Sequence, residues 1–148
     1  MSYQERRAIV SLASTLLING GYAAAVLPRM PQDGAYAPAL FHFWGSYFLV
    51  LIGVSIVARI VIHIVFSVMN TIATQEQEPG FKDERDRLIE MKTLRNSGLA
   101  FILGFVLAML SLVFSMPPAV MFALLLCSGI FSEVVSDISQ YYFYRRGY

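Results

Sequence analysis

Two pairs of ionisable residues interrupt otherwise apolar stretches of the sequence. Arg59 and His63 lie four residues apart in one stretch, and Glu133 and Asp137 lie four residues apart in another. A helix brings residues at this spacing onto one face, one turn apart. Each pair therefore predicts a polar stripe on an apolar helix, and an ionisable group inside a membrane marks a candidate path for an ion or a proton.

Helical rise along each stretch predicts how deep these groups lie. It places Arg59 and Asp137 at one level and Glu133 about one turn nearer the bilayer centre. A charge facing acyl chains there costs about 2.5–3.5 kcal/mol, so we expect Arg59 to pair with Glu133 or Asp137 in the bundle interior. Three roles fit such a pair: an ion pair that fixes helix register, a site for an ion, proton or small cation, or a contact for lipid headgroups. We expect His63 near the headgroups.

The composition predicts that these stretches lie in a membrane. Apolar residues make up 57% and charged residues 14% of the 148 residues, against about 45–50% and about 25% in soluble domains. A domain of this size cannot bury so much apolar surface. Crossing a bilayer takes roughly 20 helical residues, and four segments qualify. They span about 8–27, 41–69, 97–116 and 119–143, which predicts an all-α, integral membrane four-helix bundle in one domain.

The basic residues predict how the bundle is oriented. Arg29 alone would lie on one side of the membrane. The other side would hold Arg6, Arg7, Lys82, Arg85, Arg87, Lys92, Arg95, Arg145 and Arg146. The excess of Lys and Arg in cytoplasmic segments then places both termini and the connector at about 70–96 in the cytoplasm. We therefore predict a multi-pass protein of the cell inner membrane, with aromatic residues such as Trp44 and Tyr47 in the outer interfacial belt.

Small residues at helical spacing predict where the helices touch. Close approach of backbones holds membrane helices together, because lipid tails are as apolar as leucine. The candidates are Gly20 and Gly21 in helix one, Gly104 and Ala108 in helix three, and Ser132 in helix four. These contacts belong within one bundle or between subunits, and we predict a homo-oligomer, most simply a two-fold dimer. Asn19 needs a polar partner inside the bundle.

A charged segment precedes the third apolar stretch. Residues 83–92 read Asp-Glu-Arg-Asp-Arg-Leu-Ile-Glu-Met-Lys, which predicts a helix capped by Asp83 and continuing into the stretch. Leu88, Met91 and Leu94 would form its apolar edge. The segment is either a solvated juxtamembrane helix or a docking surface. The docking candidates are Asp83, Glu84, Arg85, Asp86 and Arg87.

The same run carries a resemblance. With Arg95, Asn96 and the following apolar stretch, it resembles a motif of small bacterial and archaeal membrane proteins. These form uncharacterised families of predicted membrane proteins, with a domain of unknown function. The resemblance covers this run and the four-helix layout. It implies a shared architecture and a functional cytoplasmic edge, without implying a reaction.

Several chemistries lack their motifs in this sequence. It has no Gly-rich phosphate loop, no Gly-x-Ser-x-Gly turn and no Cys-x-x-Cys pair. A net charge of +1 gives no basic field for nucleic acid. We therefore predict that the protein is not an enzyme and uses no cofactor or metal. Two functions stay open: a small homo-oligomeric transporter or channel, or a regulatory or scaffold protein that docks a cytoplasmic or membrane partner through residues 82–95.

Overall fold

The computed structural model describes residues 3–74 and 83–146, and these residues form four long helices. The helices are α1 (Tyr3–Val26), α2 (Pro38–Thr74), α3 (Glu84–Val113) and α4 (Pro118–Arg146). Each is long and apolar enough to cross a membrane. The all-helical prediction and the four candidate spans are therefore confirmed. Every helix begins before the apolar segment that predicted it.

Proline and aspartate set where three helices begin. Pro38 and Pro118 are the first residues of α2 and α4, where the N–H that proline lacks would have no partner in the helix. Asp83 caps α3, because its side chain accepts a hydrogen bond from the Glu84 N–H at 2.7 Å. From this cap α3 runs without a break into the third apolar stretch, as the charged segment predicted.

Much of the predicted connector at 70–96 is helical. Residues 70–74 belong to α2 and residues 84–96 belong to α3. Residues 75–82, Lys82 included, lie outside the described part of the chain. With 37 residues, α2 is about 55 Å long at about 1.5 Å per residue, which exceeds the roughly 30 Å of a hydrocarbon core. The helix must therefore tilt or project beyond a bilayer.

Tight turns close the end of the bundle opposite the chain termini. Gly34 has φ +119° in the loop between α1 and α2, and Ser115 has φ 56° in the connection between α3 and α4. Both values lie in the region where side chains are disfavoured. We call this the hairpin end. The end that holds the start of α1 and the end of α4 is the termini end.

Small residues bring α3 and α4 together. Ser128 and Ser132 donate hydrogen bonds to backbone carbonyls of α3 at 3.0 and 2.8 Å. A Cβ at Gly104 would lie only 3.1 Å from the Ser128 Cα, and Ala108 is completely buried. The stripe of helix three therefore lies in a close contact with helix four inside one chain.

The other two helices meet the bundle differently. α1 packs against both α4 and α2. Within the described residues, the α2 backbone makes an extended contact with α1 and no extended contact with α3 or α4. At the hairpin end, aromatic rings fill the space between α2 and α4. Trp44 stacks on Phe122 with centroids 5.6 Å apart, and Tyr47 lies 4.9 Å from Tyr22. Trp44 and Tyr47 are 3% and 2% exposed, so these two rings pack inside the bundle, and the depth of the predicted interfacial belt stays a prediction.

The predicted packing residues of helix one face outward. Gly20 and Gly21 are exposed, and a Cβ at either would meet nothing within 4 Å. Their neighbour Leu17 is 75% exposed. Within one chain these residues therefore make no close helix contact, and a contact between subunits stays a prediction.

The apolar edge predicted for the start of α3 also points outward. Leu88, Met91 and Leu94 are more than half exposed, whereas Ile89 and Thr93 are buried. The apolar edge therefore lies on the exposed face of α3, because the helix turns its Ile89 face toward the bundle. This exposed edge belongs to α3, the helix that continues into the third candidate span.

Candidate functional site

An ion pair joins α2 to α4 in the middle of the bundle. Nη2 of Arg59 lies 2.6 Å from Oε2 of Glu133. Of the two partners that the sequence left open, Glu133 therefore makes the direct contact. Arginine points its side chain back toward the start of its helix, which carries the guanidinium from α2 toward the level of Glu133.

The sequence predicted a pair in the interior of the bundle, but in the structure both side chains are partly exposed. The side chains of Arg59 and Glu133 are 32% and 39% exposed. The reason is the spacing of the helices, since the α2 backbone stays away from α4 beyond the aromatic cluster. A long arginine side chain bridges this gap, and the pair lies at the edge of a groove.

Asp137 is the second carboxylate of the α4 stripe, and it is 7% exposed. Thr15 of α1, which is completely buried, donates a hydrogen bond to Oδ2 of Asp137 at 3.2 Å. The same hydroxyl accepts a hydrogen bond from Nη2 of Arg59 at 3.1 Å. One hydroxyl can play both roles because it is both a donor and an acceptor. Thr15 therefore connects the Arg59 guanidinium to Asp137.

Asn19 lies one turn after Thr15 on α1 and contacts the same group of polar residues. Its Nδ2 donates to the backbone carbonyl of Thr15 at 2.8 Å and to Oε2 of Glu133 at 3.4 Å. This satisfies the expectation that Asn19 finds a polar partner inside the bundle. Thr15 was not among the site residues predicted from the sequence.

The ion pair leaves polar atoms unused. Within the described residues, the contacts of Arg59 to Glu133 and Thr15 both use Nη2. The contacts of Glu133 both use Oε2. Oε1 of the carboxylate and the rest of the guanidinium are thus available to another group, which a two-point arginine–carboxylate pair would not allow.

An apolar groove of about 310 Å³ leads to the pair from the hairpin side. It lies between α2 and α4 with α1 at its base, and it is open on one side. Among the described residues, Arg59 and Glu133 are the charged ones that line it. The remaining lining is Asn19, Phe48, Leu51, Ile52, Ser55, Ile56, Leu125, Leu126, Gly129 and Ile130.

A polar cavity of about 230 Å³ lies on the other side of Arg59, toward the termini end. Arg59, His63 and Asp137 line it, so three of the four predicted intramembrane residues meet there. The lining is completed by Gln4, Arg7, Ser11, Asp86, Ile89, Glu90, Ser136, Gln140 and Tyr144. Arg59 lines both spaces, and its side chain therefore stands between the groove and the cavity.

Of the predicted docking residues at the start of α3, one lies in this cavity and the others lie on the surface. Asp86 lines the cavity and accepts a hydrogen bond from the Tyr144 hydroxyl at 3.1 Å. The other docking candidates are exposed. They are Asp83, Glu84, Arg85 and Arg87. Asp86 is thus already part of the bundle, whereas docking through the other four stays a prediction.

Comparison of the chain with protein-family models, with curated proteins and with solved structures finds no match. The resemblance drawn from residues 83–92 stays a prediction. The geometry of the cluster formed by Arg59, Glu133 and Asp137 is therefore the basis for the function proposed below.

Proposed function

We propose that this protein is a small membrane transporter that exchanges a cation for a proton through the cluster of Arg59, Glu133 and Asp137. One observation carries the proposal: a single guanidinium lies between two carboxylates of α4 and lines both the groove and the polar cavity. Each carboxylate belongs to a different space, since Glu133 lines the groove and Asp137 lines the cavity.

Charge balance supports a cation as the transported species. Two carboxylates face one guanidinium, which leaves one negative charge when His63 is neutral. A net charge in hydrocarbon is costly, so the cluster is stable when a proton or another cation supplies the missing positive charge. An anion would instead add to the excess and would draw the guanidinium away from Glu133, its ion-pair partner.

Arg59 provides the coupling between the two carboxylates. With Arg59 on Glu133, a proton on Asp137 neutralises the second carboxylate. When a cation occupies Glu133, the guanidinium moves along Thr15 to Asp137, and the proton leaves through the polar cavity. One cation is bound and one proton is released, so the charge of the cluster does not change.

The proposal includes more than one copy of the chain. One four-helix unit encloses little space, since its groove and its polar cavity measure only about 310 and 230 Å³, and a path across a membrane needs more than this. The outward-facing Gly20 and Gly21 of α1 allow close approach of a second copy. A homodimer is accordingly part of the proposed transporter, with both termini in the cytoplasm of the cell inner membrane.

Exchange can be measured on the purified protein in sealed vesicles. With an acidic interior, external Na⁺, K⁺ or choline should collapse the pH gradient in the presence of the protein. Glu133→Gln and Asp137→Asn should each abolish the collapse for lack of one carboxylate. Glu84→Gln removes an exposed carboxylate at the start of α3 and should leave the exchange unchanged.

The outcomes separate the two functions. Exchange that is equal in the wild type and in both cluster variants would rule out the proposed path. If no cation from the panel collapsed the gradient, and charge reversal at Asp83 and Arg87 released a partner that co-purifies with the wild type, the docking function would replace transport. The helical content and the elution profile of each variant check that it is folded.

A further inference from the structure

The groove between α2 and α4 has the character of a ligand site with one polar end. Its volume of about 310 Å³ falls at the small end of ligand pockets, which span about 300–1,000 Å³. Most of its wall is aliphatic or aromatic, and the charged groups of its lining among the described residues are one ion pair at one end. A body that fills this space must be apolar, and its polar group must lie at Arg59 and Glu133.

The atoms of Arg59 and Glu133 that make no contact within the described residues indicate which charge the polar group of the ligand carries. Glu133 lines the groove, and both of its contacts within the described residues use Oε2, which leaves Oε1 for a cation in the groove. A cation in the groove can replace Arg59 at Glu133, because Arg59 also donates a hydrogen bond to Thr15, and Thr15 connects it to Asp137. An anion on Arg59 would instead leave Glu133 without its ion-pair partner.

The open side of the groove indicates how such a molecule arrives. The α2 residues on the rim, Ile52 and Ile56, are each 55% exposed, and the neighbouring outer surface of α2 is apolar over several turns. In a bilayer this rim faces acyl chains. A molecule with an apolar body reaches the groove from within the membrane, whereas a hydrated ion reaches the cluster from the polar cavity.

We infer that the groove binds an organic cation with an apolar body, which enters sideways from the bilayer and pairs with Glu133. This names the substrate class of the proposed transporter and rests on that proposed function. The step is non-covalent: the cation replaces Arg59 at Glu133, and the proton released from Asp137 leaves through the cavity.

Binding can be tested with two probes of one shape and opposite charge. Tetraphenylphosphonium and tetraphenylborate are dialysed to equilibrium against the full chain in mild detergent. The cation should bind and the anion should not. Glu133→Gln should weaken binding of the cation about tenfold or more, as expected for loss of a charge-assisted contact.

The structure also provides a steric variant with a matched control. Gly129 lines the groove, and a Cβ there would meet nothing within 4 Å. Gly129→Leu should fill the groove without disturbing the ion pair and should abolish binding of tetraphenylphosphonium. Gly53 of α2 has equally open space and does not line the groove, so Gly53→Leu should bind as the wild type does.

Each result has one meaning for the inference. Equal binding of both probes, no binding of either, or unchanged binding in Gly129→Leu would overturn it. If Na⁺, K⁺ or choline still drives proton exchange through Glu133 and Asp137, the proposed function survives this failure. If tetraphenylphosphonium binds as expected but no cation, this probe included, exchanges for protons, the groove is a binding site and the proposed transport is wrong.

Discussion

Thr15 of α1 donates its hydroxyl proton to Asp137 of α4 at 3.2 Å, and both residues are at least nine-tenths buried. The same oxygen accepts a hydrogen bond from Arg59 at 3.1 Å. A residue from the neighbouring helix thus lies between the guanidinium and the second carboxylate. If Arg59 moves between carboxylates, this hydroxyl is the group that it passes.

Replacement of the hydroxyl tests this role. Thr15→Val keeps the shape but removes one of the hydrogen bonds that the buried Asp137 carboxylate accepts, since Ser11 also donates to it; the loss should cost about 1–3 kcal/mol of stability. Thr15→Ser keeps the hydroxyl and should retain most of the stability and most of the cation–proton exchange. Thermal unfolding in detergent and exchange in vesicles measure the two effects. Equal exchange by both variants would show that Arg59 does not use this hydroxyl.

The ion pair between Arg59 and Glu133 should contribute measurably to stability. Arg59→Met leaves one more uncompensated carboxylate. The expected loss is about 1–3 kcal/mol, between the value for exposed pairs and the value for buried pairs. The partial exposure of both side chains places the pair between these limits. Unfolding in a denaturing detergent measures the loss.

A charge swap separates pairing from a local effect at either position. Arg59→Glu and Glu133→Arg should each destabilise the protein, and the double variant should recover at least half of the combined loss. Additive losses would mean that the two groups do not interact in the folded protein. The double variant should still fail to exchange cations, because the moving guanidinium would then belong to α4.

Gly104 should tolerate no side chain, in contrast to another glycine of the same helix. Gly104→Ala places a Cβ against Ser128, and the helices must separate, at a cost of about 1–3 kcal/mol. Gly98→Ala has open space and should be neutral or stabilising by up to about 1 kcal/mol, since alanine favours helix. Thermal unfolding of both variants compares them directly. Equal effects would contradict a close contact between α3 and α4 at Gly104.

The sequence predicted the features that depend on composition and helical period. Four spans, the Asp83 cap and the meeting of Arg59 with an α4 carboxylate follow from apolar length, capping chemistry and matched depth. None of these requires knowledge of how far apart two helices lie. They depend on local spacing and on the cost of an isolated charge in hydrocarbon.

The features that the sequence did not predict depend on distances between helices. Trp44 and Tyr47 are typical of an interfacial belt, yet they fill the space where α2 stands away from α4. The same separation leaves Glu133 partly exposed and creates the groove. Thr15 escaped notice because a lone threonine in an apolar helix has no signal until Asp137 is placed beside it.

The orientation of the bundle can be measured with single cysteines. In a Cys127→Ala background, Asp33→Cys at the hairpin end should react with a membrane-impermeant maleimide in intact cells. Glu84→Cys at the termini end should react only after the cells are opened, because the basic residues predict that this end is cytoplasmic. The reverse pattern would place the termini outside and would reverse the direction in which the polar cavity opens.

The outward-facing glycines of α1 make a sharp prediction about assembly. Gly20 and Gly21 are exposed and have open space beside them, so larger side chains there cost little within one chain. If these glycines allow two α1 helices to approach closely, Gly20→Leu together with Gly21→Leu should convert a dimer into a monomer with unchanged helical content. Gly53→Leu, which adds the same bulk to an open position of α2, should stay dimeric. Mass measurement by light scattering in mild detergent decides between them, and a wild-type protein that is only monomeric would remove the dimer from the proposed mechanism.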